Sequence, residues 1–501
     1  MGVLPRGVRR YRHSCESDRA TRFPAGRLVL LLQQDMAGTL VPLRALGSGN
    51  RALLSMVEEA MGRKRRYYPL AFLAVVLFTL VAAIFVHAVT EVRGYYFGQR
   101  SVFITISISM LIFFLFLLVL RYLFLLWFSF MQQLEFLRQR DDGGYTPLVS
   151  VLMPAYNEGR VIETALTSLL AQEYPFFEVI VIDDGSFDDT FAAASKLTGD
   201  YGNARVRAVR QPHRGKAAAL NLGIAVARGE LVLCMDADSQ LVPQAIQSLV
   251  RHFLDMDVAA VAGNVKVRNR TTLWTKLQAL EYIEGLNMAR QAQGFFRSVN
   301  IIPGPVGMFR RQVLLSVGGY ESDTFAEDAD LTLKLVNFGY GIRYEPRAIA
   351  YTEAPVKLLD LIKQRYRWTR GILQSMKKRP EIFLQPWKGF TTFVILWYMM
   401  FEAVLWPAMN IFANVFLIGM NLAYGMVGLL VFWFLQLTLL DVVAAVHCVA
   451  AEEEDLWLIP YAVVHRVFFV LVIDVCKVLA TVEEVLGFRM TWGKLTRYGT
   501  G

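Results

Sequence analysis

Two blocks of long apolar runs flank a central segment in which hydrophobic and polar residues alternate over shorter distances. The five runs are residues 68–89, 102–128, 391–418, 423–450 and 457–480. Each reaches the roughly 20 residues that a helix needs to cross a bilayer. The pattern predicts five membrane spans, two within residues 61–130 and three within residues 389–482, with a tail at 483–501.

The charges around these runs conflict over which side of the membrane the tail faces. Four basic residues at 63–66 precede the first run, which indicates a cytoplasmic start by the positive-inside rule. We therefore expect a multi-pass protein of the plasma (inner) membrane with its central segment in the cytoplasm. Three C-terminal spans would place Arg489, Lys494 and Arg497 outside and the acidic loop "AEEED" inside. The same rule favours an even number of C-terminal crossings.

Composition agrees with a membrane protein and excludes other classes. The chain is 55% hydrophobic and only 19% charged, and its formal net charge of +9 suits a face against anionic lipid. We expect membrane lipid, and no nucleic acid, among its partners. The four cysteines lack the spacing of a disulfide framework or a zinc site. Residues 1–60 are arginine-rich without periodicity, and we interpret them as a disordered or misassigned N-terminal extension.

Residues 147–388 have the pattern of an α/β domain. Apolar, β-branched runs such as "PLVSVLMPA", "FEVIVID" and "ELVLCM" alternate with helical segments such as "GKAAALNLGIAVA". Alternation of this kind predicts parallel βαβ units, whose ligands bind at the carboxyl ends of the strands.

The acidic turn "IDDGSFDDT" follows one of these strands. Ser186 and Asp189 fit a capping box for a helix that starts near Phe187. Asp183 and Asp184 end the strand, where carboxylates would accept hydrogen bonds from a nucleobase and from ribose hydroxyls. Asp-Asp-Gly is also a favourable turn sequence, so ligand contact and ordinary turn chemistry both stay open.

A second acidic pair closes the strand "ELVLCM". Asp236 and Asp238 are alternate residues, which point the same way where a strand is extended. Like charges so close repel each other unless they share a cation, and two hard oxygen ligands suit Mg²⁺ or Mn²⁺. The sequence predicts a metal site at this strand end.

Two helices carry the remaining polar clusters. Glu327 and Asp328 open a helix in "AEDADLTLKLVNFG", a position that the helix dipole favours without any catalytic role. In "LLDLIKQRYRWTRGILQ" the polar residues Gln364 and Arg367 share one face at helical spacing. Trp368 flanks the apolar stripe, either as an edge of the core or as a flat surface for a sugar ring.

The order of PAYNE, DDGS, GKAAALN, DAD, AED and QRYRW resembles the membrane-integrated, processive family 2 glycosyltransferases, which include cellulose, chitin, hyaluronan and poly-N-acetylglucosamine synthases. The resemblance covers residues 149–370 and implies a cytosolic GT-A, Rossmann-like domain inserted between transmembrane helices. One departure is Ala326, where the family commonly has threonine before the Glu-Asp pair.

The resemblance also implies roles for individual residues. Tyr156, Glu158, Asp183 and Asp184 would contact the uridine, and Lys216 would lie in the nucleotide region. Asp236 and Asp238 would bind the metal and the sugar diphosphate. Asp328 would be the general base, and Gln364, Arg367 and Trp368 would hold the diphosphate and the acceptor end.

The implied activity is inverting, processive polymerisation of a UDP-sugar donor onto a growing polysaccharide acceptor. "GKAAALNLGI" and "GPVGMFRR" are most similar to poly-β-1,6-N-acetylglucosamine synthases, which favours UDP-N-acetylglucosamine. Hyaluronan-, chitin- or cellulose-type synthesis, single transfer to a lipid carrier and an inactive export scaffold are the alternatives. A small membrane subunit is a further candidate partner. Glu402, in an apolar run, is expected to face a bundle interior or an aqueous path, unless its helix lies at the membrane surface.

Overall fold

A computed structural model of the chain describes residues 102–138, 144–424 and 427–488. The predicted extension at 1–60, the predicted first span and the basic tail residues lie outside the described residues. Four described helices are long and apolar enough to cross a membrane: Val102–Phe136, Phe390–Ala423, Leu429–Ala451 and Leu456–Val485. Helices of this length and composition make the chain a membrane protein.

The central segment folds around one mixed sheet. We call this sheet and the helices that cover it the sheet domain. Its strands are β1 (Val149–Ala155), β2 (Phe177–Asp183), β3 (Gly199–Asp200), β4 (Ala204–Arg210), β5 (Leu231–Cys234), β6 (Gln240–Leu241), β7 (Val258–Val267), β8 (Gly307–Arg310) and β9 (Gly341–Thr352). Their order across the sheet is β3-β4-β2-β1-β5-β8-β7-β9-β6.

The buried strands explain the continuous apolar runs of the sequence. Every residue of β1, β2, β5 and β7 is buried, as expected for strands covered on both faces. Strands β4, β2, β1 and β5 are parallel, which agrees with the βαβ pattern. The expectation of parallel units fails at β8, which lies antiparallel between β5 and β7. The chain reaches β8 through a turn in which the Val306 N–H donates to the Pro303 carbonyl.

The helices are α1 (Val102–Arg138), α2 (Ile162–Leu170), α3 (Thr190–Lys196), α4 (Lys216–Val226), α5 (Ala245–Val250), α6 (Leu273–Glu281), α7 (Met288–Phe295), α8 (Arg311–Ser316), α9 (Glu327–Asn337), α10 (Leu358–Lys378), α11 (Phe390–Met400), α12 (Trp406–Tyr424), α13 (Val427–Ala451), α14 (Tyr461–Val464) and α15 (Val470–Val485). Three π-helical turns, Tyr282–Asn287, Phe401–Leu405 and His465–Phe469, continue α6 into α7, α11 into α12 and α14 into α15.

Helices cover both faces of the sheet. Leu166 of α2 packs in the core on one face, and Leu220 of α4 packs in the core on the other. A separate apolar core joins α1, α12 and α13, which we call the membrane bundle. The polar strand ends therefore belong to the sheet domain, next to a bundle that can cross the bilayer.

Candidate active site

The loop after β1 is bonded to the acidic turn after β2. Asn157 has a left-handed φ of 52°, a conformation that asparagine tolerates better than most residues. Its backbone N–H donates to the Ser186 hydroxyl oxygen at 2.9 Å, and its side-chain oxygen accepts from the Phe187 N–H at 2.8 Å. The PAYNE loop and the acidic turn are therefore one unit.

The capping prediction for Ser186 and Asp189 is wrong. Helix α3 begins at Thr190, and no side-chain hydrogen bond caps it from Asp189. Asp188 accepts from the Thr190 N–H at 3.1 Å instead. Ser186 instead accepts a hydrogen bond from Asn157 in the PAYNE loop. This contact joins residues far apart in the sequence, so the local spacing does not reveal it.

Asp183 and Asp184 are both buried and both have protein partners. Asp184 accepts from the backbone N–H groups of Arg214 and Gly215 at 2.9 and 2.8 Å, so it holds the loop that leads into α4. Asp183 accepts from the Ser186 N–H at 3.2 Å and pairs with Arg210 at 3.0 Å. The turn-chemistry alternative accounts for Asp184, while the half-exposed Arg210 leaves Asp183 next to solvent.

An aromatic pair lies beside this turn. The Tyr156 ring stacks on the His213 ring with centroids 4.2 Å apart. The His213 Nδ1 is 2.8 Å from Asp184 Oδ2, so Asp184 also orients the histidine. Glu158 is fixed through its backbone, whose N–H donates to Thr190 Oγ1 at 2.8 Å.

Lys216, at the first position of α4, joins two acidic motifs that are far apart in the sequence. Its Nζ lies 2.7 Å from Asp236 Oδ1 and 2.9 Å from Glu327 Oε1. A Cβ at Gly304 would lie only 3.0 Å from this Nζ, so the loop before β8 passes directly over the contact. We call Asp236, Glu327 and Asp328 around Lys216 the site cluster.

The charges of the site cluster shift the pKa values of its members in different directions. Burial alone would lower the pKa of Lys216, but the carboxylates of Asp236, Glu327 and Asp328 raise it well above its ordinary value. Burial alone would raise the pKa of Glu327, but Lys216, with help from Arg367, lowers it. Burial and the adjacent Glu327 raise the pKa of Asp328. Glu327 is therefore the counter-ion of Lys216, and Asp328 is the stronger base.

The predicted metal pair fits a hard divalent cation by its donors. Asp236 and Asp238 lie in a turn after β5, and Asp238 is 6% exposed. Asp238 lines a small cavity with Arg160, Ser239 and Arg268, whereas Asp236 contacts Lys216. Since three carboxylates surround a single lysine, the site cluster keeps negative charge that suits a cation.

Helix α10 approaches the start of α9 very closely. A Cβ at Gly371 would lie 2.5 Å from the Cβ of Ala326, so only glycine fits there. The Phe325 N–H also donates to Gln374 Oε1 at 3.1 Å. The QRYRW helix thus positions the Glu-Asp pair, and the alanine in place of the family's threonine lies at this contact.

Two of the three predicted acceptor residues of α10, Gln364 and Trp368, contact a neighbour that the sequence did not single out. Arg365 is buried, and its guanidinium pairs with Glu281 of α6 at 2.5 Å. It donates to Gln364 Oε1 at 2.6 Å and lies 4.2 Å from the centre of the Trp368 ring. Arg365 covers one face of the half-buried Trp368 and fixes Gln364. Arg367 is half-buried on the side of Glu327, whose pKa it helps to lower.

A second group of three carboxylates has the spacing of a metal site but a different charge balance. Glu321, Asp323 and Asp330 bring one oxygen each within 4.8 Å of the others. Lys378 lies 2.6, 2.6 and 3.2 Å from the three, Lys334 pairs with Glu321, and Arg379 lies 2.5 Å from Asp330. We call these six residues the balanced cluster, because three cations neutralise three carboxylates.

Sequence analysis missed Glu327, Arg365, His213 and Gly304 as site residues. Glu327 is visible in the sequence beside Asp328, but the helix dipole alone explains an acidic residue at that position. A second arginine inside the QRYRW segment was equally visible, although nothing local marks it as buried. The contacts of His213 and Gly304 depend on the fold alone.

Comparison with known proteins shows what this domain resembles. Residues 150–318 match the family described as glycosyl transferase family 2. A mannosyltransferase from Pyrobaculum calidifontis, solved in complex with GDP-Man and Mn²⁺, has the same fold with a TM-score of 0.56 and 21% identity, over 77% of this chain and 99% of that one. Residues 150–318 are thus similar to family 2 glycosyltransferases, and the predicted α/β fold is confirmed.

The curated relatives are more specific. The chain is 34% identical over 224 residues to a poly-beta-1,6-N-acetyl-D-glucosamine synthase of Staphylococcus epidermidis, covering 44% of this chain and 54% of that protein. It is 33% identical over 250 residues to the synthase of the same name from Staphylococcus aureus strain COL, covering 49% and 60%. These alignments span little more than half the length of the relatives. The predicted resemblance to this group of synthases is confirmed over the aligned residues.

Proposed function

We propose that the protein is an inverting, processive glycosyltransferase that polymerises UDP-N-acetylglucosamine into a β-linked polysaccharide and passes it across the membrane. One observation carries the proposal. Lys216 brings the end of β5, with Asp236, to the start of α9, with Glu327 and Asp328. A donor diphosphate at Asp236 would thereby lie next to a base of raised pKa.

The chemistry is a single displacement in which Asp328 acts as general base. Its carboxylate takes the proton of the acceptor hydroxyl, and the hydroxyl oxygen bonds to the anomeric carbon of the donor. The bond from that carbon to the diphosphate breaks, and UDP leaves with the electron pair. One displacement inverts the anomeric centre, so an α-linked donor gives a β-linked product. Burial and Glu327, which raise the pKa of Asp328, strengthen it as a base.

Asp236 and Asp238 would hold a Mg²⁺ or Mn²⁺ ion with the donor diphosphate. Such an ion supplies Lewis-acid stabilisation of the leaving group. The excess of carboxylates over lysine in the site cluster supports this assignment. Lys216 is placed to move from Asp236 to a diphosphate oxygen when donor binds, because its ammonium contacts both acidic motifs.

The uridine would lie along the acidic turn. Tyr156 offers a ring already aligned by His213, and Asp183 lies beside the half-exposed Arg210. Glu158 lies in the same bonded loop. In this proposal Asp184 acts indirectly, since it holds the loop between Asp184 and Lys216 through two backbone hydrogen bonds.

The acceptor end would stack on Trp368. Arg365 covers one face of this ring, and in this proposal the sugar stacks on the other. Gln364 and Arg367 lie on the same helix, and Gly371 keeps that helix against the Glu327-Asp328 pair. A sugar on Trp368 would therefore end near the general base.

The membrane bundle would provide the export path from a cytoplasmic domain in the plasma membrane. Glu402 is paired with Arg121 at 2.5 Å and accepts from the Tyr398 hydroxyl at 2.8 Å. A charged pair inside the protein is the arrangement expected for an ionisable residue near the bilayer. Arg121 also lies over the ring of Trp406, which belongs to the core of the membrane bundle.

Product analysis tests the proposal. Purified protein in lipid vesicles, given radiolabelled UDP-N-acetylglucosamine and Mg²⁺, should make a polymer that a β-1,6-hexosaminidase cuts and that cellulase and hyaluronidase leave intact. A cellulase-sensitive product would reject the donor sugar. A lipid-linked single sugar would reject processivity, and complete absence of transfer from every UDP-sugar would favour the export scaffold.

Substitution of Trp368 tests the acceptor role. Trp368→Ala should keep UDP binding within about tenfold of wild type, or roughly 1.4 kcal/mol, while high-molecular-weight product disappears. Trp387→Ala is the matched control, because Trp387 is 76% exposed and lies outside α10. Full-length polymer from Trp368→Ala would reject the stacking role.

A further inference from the structure

The fourth apolar helix, Leu456–Val485, contacts both the membrane bundle and the sheet domain. Arg466 pairs with Asp441 of α13, and Asp474 accepts from Asn410 of α12 at 2.6 Å. The helix comprises the 3₁₀ turn Leu456–Leu458, α14, the π-helical turn His465–Phe469 and α15. Length and composition permit it to cross a membrane. Its two ends, however, are both fixed to the sheet domain.

The buried core of the membrane bundle contains residues of three helices only, among the described residues. Its members come from α1, α12 and α13, with Phe114, Leu417 and Leu437 as examples. The buried apolar residues of Leu456–Val485 lie elsewhere. Leu458 and Ala462 belong to the core of the sheet domain, which Leu125 of α1 and Val449 of α13 also reach. Phe469 and Ile473 pack against Leu277 of α6 and Leu361 of α10, which also belong to the sheet domain.

The beginning of this helix is fixed to the sheet domain by charge. The loop before it carries Glu452 and Glu454, the acidic residues that conflict with the positive-inside rule. Lys266 of β7 lies 3.2 Å from Glu452 and 2.9 Å from Glu454. Arg270 bonds both oxygens of Glu454, at 2.5 and 3.1 Å. The acidic loop therefore lies on the membrane side that holds the sheet domain.

The end of the helix is fixed to the same domain. Arg370 of α10 donates to Glu484 at 2.8 Å and to the Phe488 carbonyl at 2.7 Å. Gln374 donates to Glu484 at 3.1 Å, and the Tyr366 hydroxyl bonds to Glu483. Helix α15 thus runs beside α10, the helix that carries Gln364, Arg367 and Trp368.

A crossing helix would have its ends on opposite sides of the bilayer. Thirty residues of helix extend about 45 Å, more than the roughly 30 Å hydrocarbon core. Because both ends contact one water-soluble domain, we propose that Leu456–Val485 does not cross the membrane. It lies along the membrane surface on the side of the sheet domain, half-submerged in lipid. This inference is independent of the proposed reaction.

The exposed face of the helix has the chemistry of a lipid contact. Its exposed apolar residues are spread along the whole helix: Val463, Val467, Phe468, Val475, Leu479 and Val482. They alternate with Phe469, Ile473 and Ala480, which are buried in the protein. The adjoining membrane bundle places lipid acyl chains next to this face, so the bilayer surface is its partner.

This placement removes the conflict between hydropathy and charge. Only α12 and α13 then cross the membrane after the sheet domain, and the chain leaves α15 on the domain's side. Arg489, Lys494 and Arg497 then obey the positive-inside rule together with residues 63–66. The lipid-facing helix also braces α10 through Arg370 and Glu484.

Thiol labelling tests the side of the membrane. Single cysteines would be introduced into full-length Cys15→Ser protein at Ser316 on the sheet domain, Leu422 near the end of α12, and Phe488. Cys234, Cys448 and Cys476 are buried, so they add little background. A membrane-impermeant maleimide would be applied to right-side-out and inside-out vesicles, with permeabilised samples as the total.

We expect Phe488→Cys to react in the same vesicle orientation as Ser316→Cys, and Leu422→Cys in the opposite one. Reaction of Phe488→Cys together with Leu422→Cys would overturn the proposal. Failure of Phe488→Cys to react in either orientation would also contradict it, because the side chain is 58% exposed.

A second measurement tests the lipid contact. A nitroxide attached to Leu479→Cys in vesicles should collide with oxygen more often than with a water-soluble nickel chelate, and one on Ser316→Cys should show the reverse. Nickel accessibility at Leu479→Cys equal to that at Ser316→Cys would reject the half-submerged position. Neither position lies in the catalytic machinery, so each variant should retain polymer synthesis. Retained synthesis then shows that the variant folds correctly.

Discussion

The site cluster and the balanced cluster each bring three carboxylates together, yet their surroundings differ. In the site cluster, Asp236, Glu327 and Asp328 share Lys216. In the balanced cluster, three carboxylates meet Lys334, Lys378 and Arg379. Even when Arg367 is counted, the site cluster keeps an excess of negative charge.

The comparison teaches that charge balance, more than carboxylate spacing, separates a site from a brace. The balanced cluster has the tighter metal-like geometry, but its ion pairs leave no charge for an external cation to neutralise. The site cluster is half-buried with too few cations, and burial together with Glu327 raises the pKa of Asp328. We infer that the balanced cluster holds α9 to α10, and that the site cluster is kept for donor and acceptor.

The largest effect is expected at Asp328. Asp328→Asn should lower polymer synthesis by about 10²–10⁴, the usual cost of removing a general base, while UDP binding persists. Initial rates and calorimetric UDP titration would measure the two. Asp323→Asn is the matched control from the balanced cluster, and its rate should stay within about twofold of wild type. Substantial synthesis by Asp328→Asn would assign the base elsewhere.

Breaking the balanced cluster should affect stability instead of chemistry. Arg379→Met leaves the fully buried Asp330 with Lys378 alone, and should lower the free energy of unfolding by about 3 kcal/mol, at the lower end of the range for breaking a buried pair. Thermal unfolding of the solubilised protein would show it. An unchanged melting temperature, or a lost metal requirement in the folded enzyme, would contradict the bracing role.

A smaller effect is expected on the pH profile. The charge of Glu327 helps to raise the pKa of Asp328, so Glu327→Gln should lower that pKa. Asp328 must be ionised to accept a proton, and it would then stay ionised to lower pH. The acidic limb of the rate profile should move to lower pH, whereas Glu321→Gln should leave it in place. Movement to higher pH would contradict the assignment.

The sequence predicted the parts of the fold that depend on local pattern. Continuous apolar runs identified β1, β2 and β5, and acidic residues at the strand ends identified Asp183 and Asp236. Helical spacing identified α10. Each of these features is set by neighbours within one turn or one strand.

Features that depend on distant contacts were missed. Glu327 gains its importance from Lys216, and Arg365 from Glu281 and Trp368. The antiparallel insertion of β8 and the use of Ser186 by Asn157 are also long-range. Hydropathy likewise predicts a span at residues 457–480, which in our proposal lies along the membrane surface.

Manganese binding tests the contrast between the two clusters most directly. Full-length protein in detergent with UDP would be titrated with Mn²⁺, and free Mn²⁺ measured by electron paramagnetic resonance. The Asp236→Asn/Asp238→Asn variant should bind Mn²⁺ at least about tenfold more weakly than wild type, or roughly 1.4 kcal/mol. The Glu321→Gln/Asp323→Asn variant should match wild type. Loss of binding in the second variant with retention in the first would contradict the account.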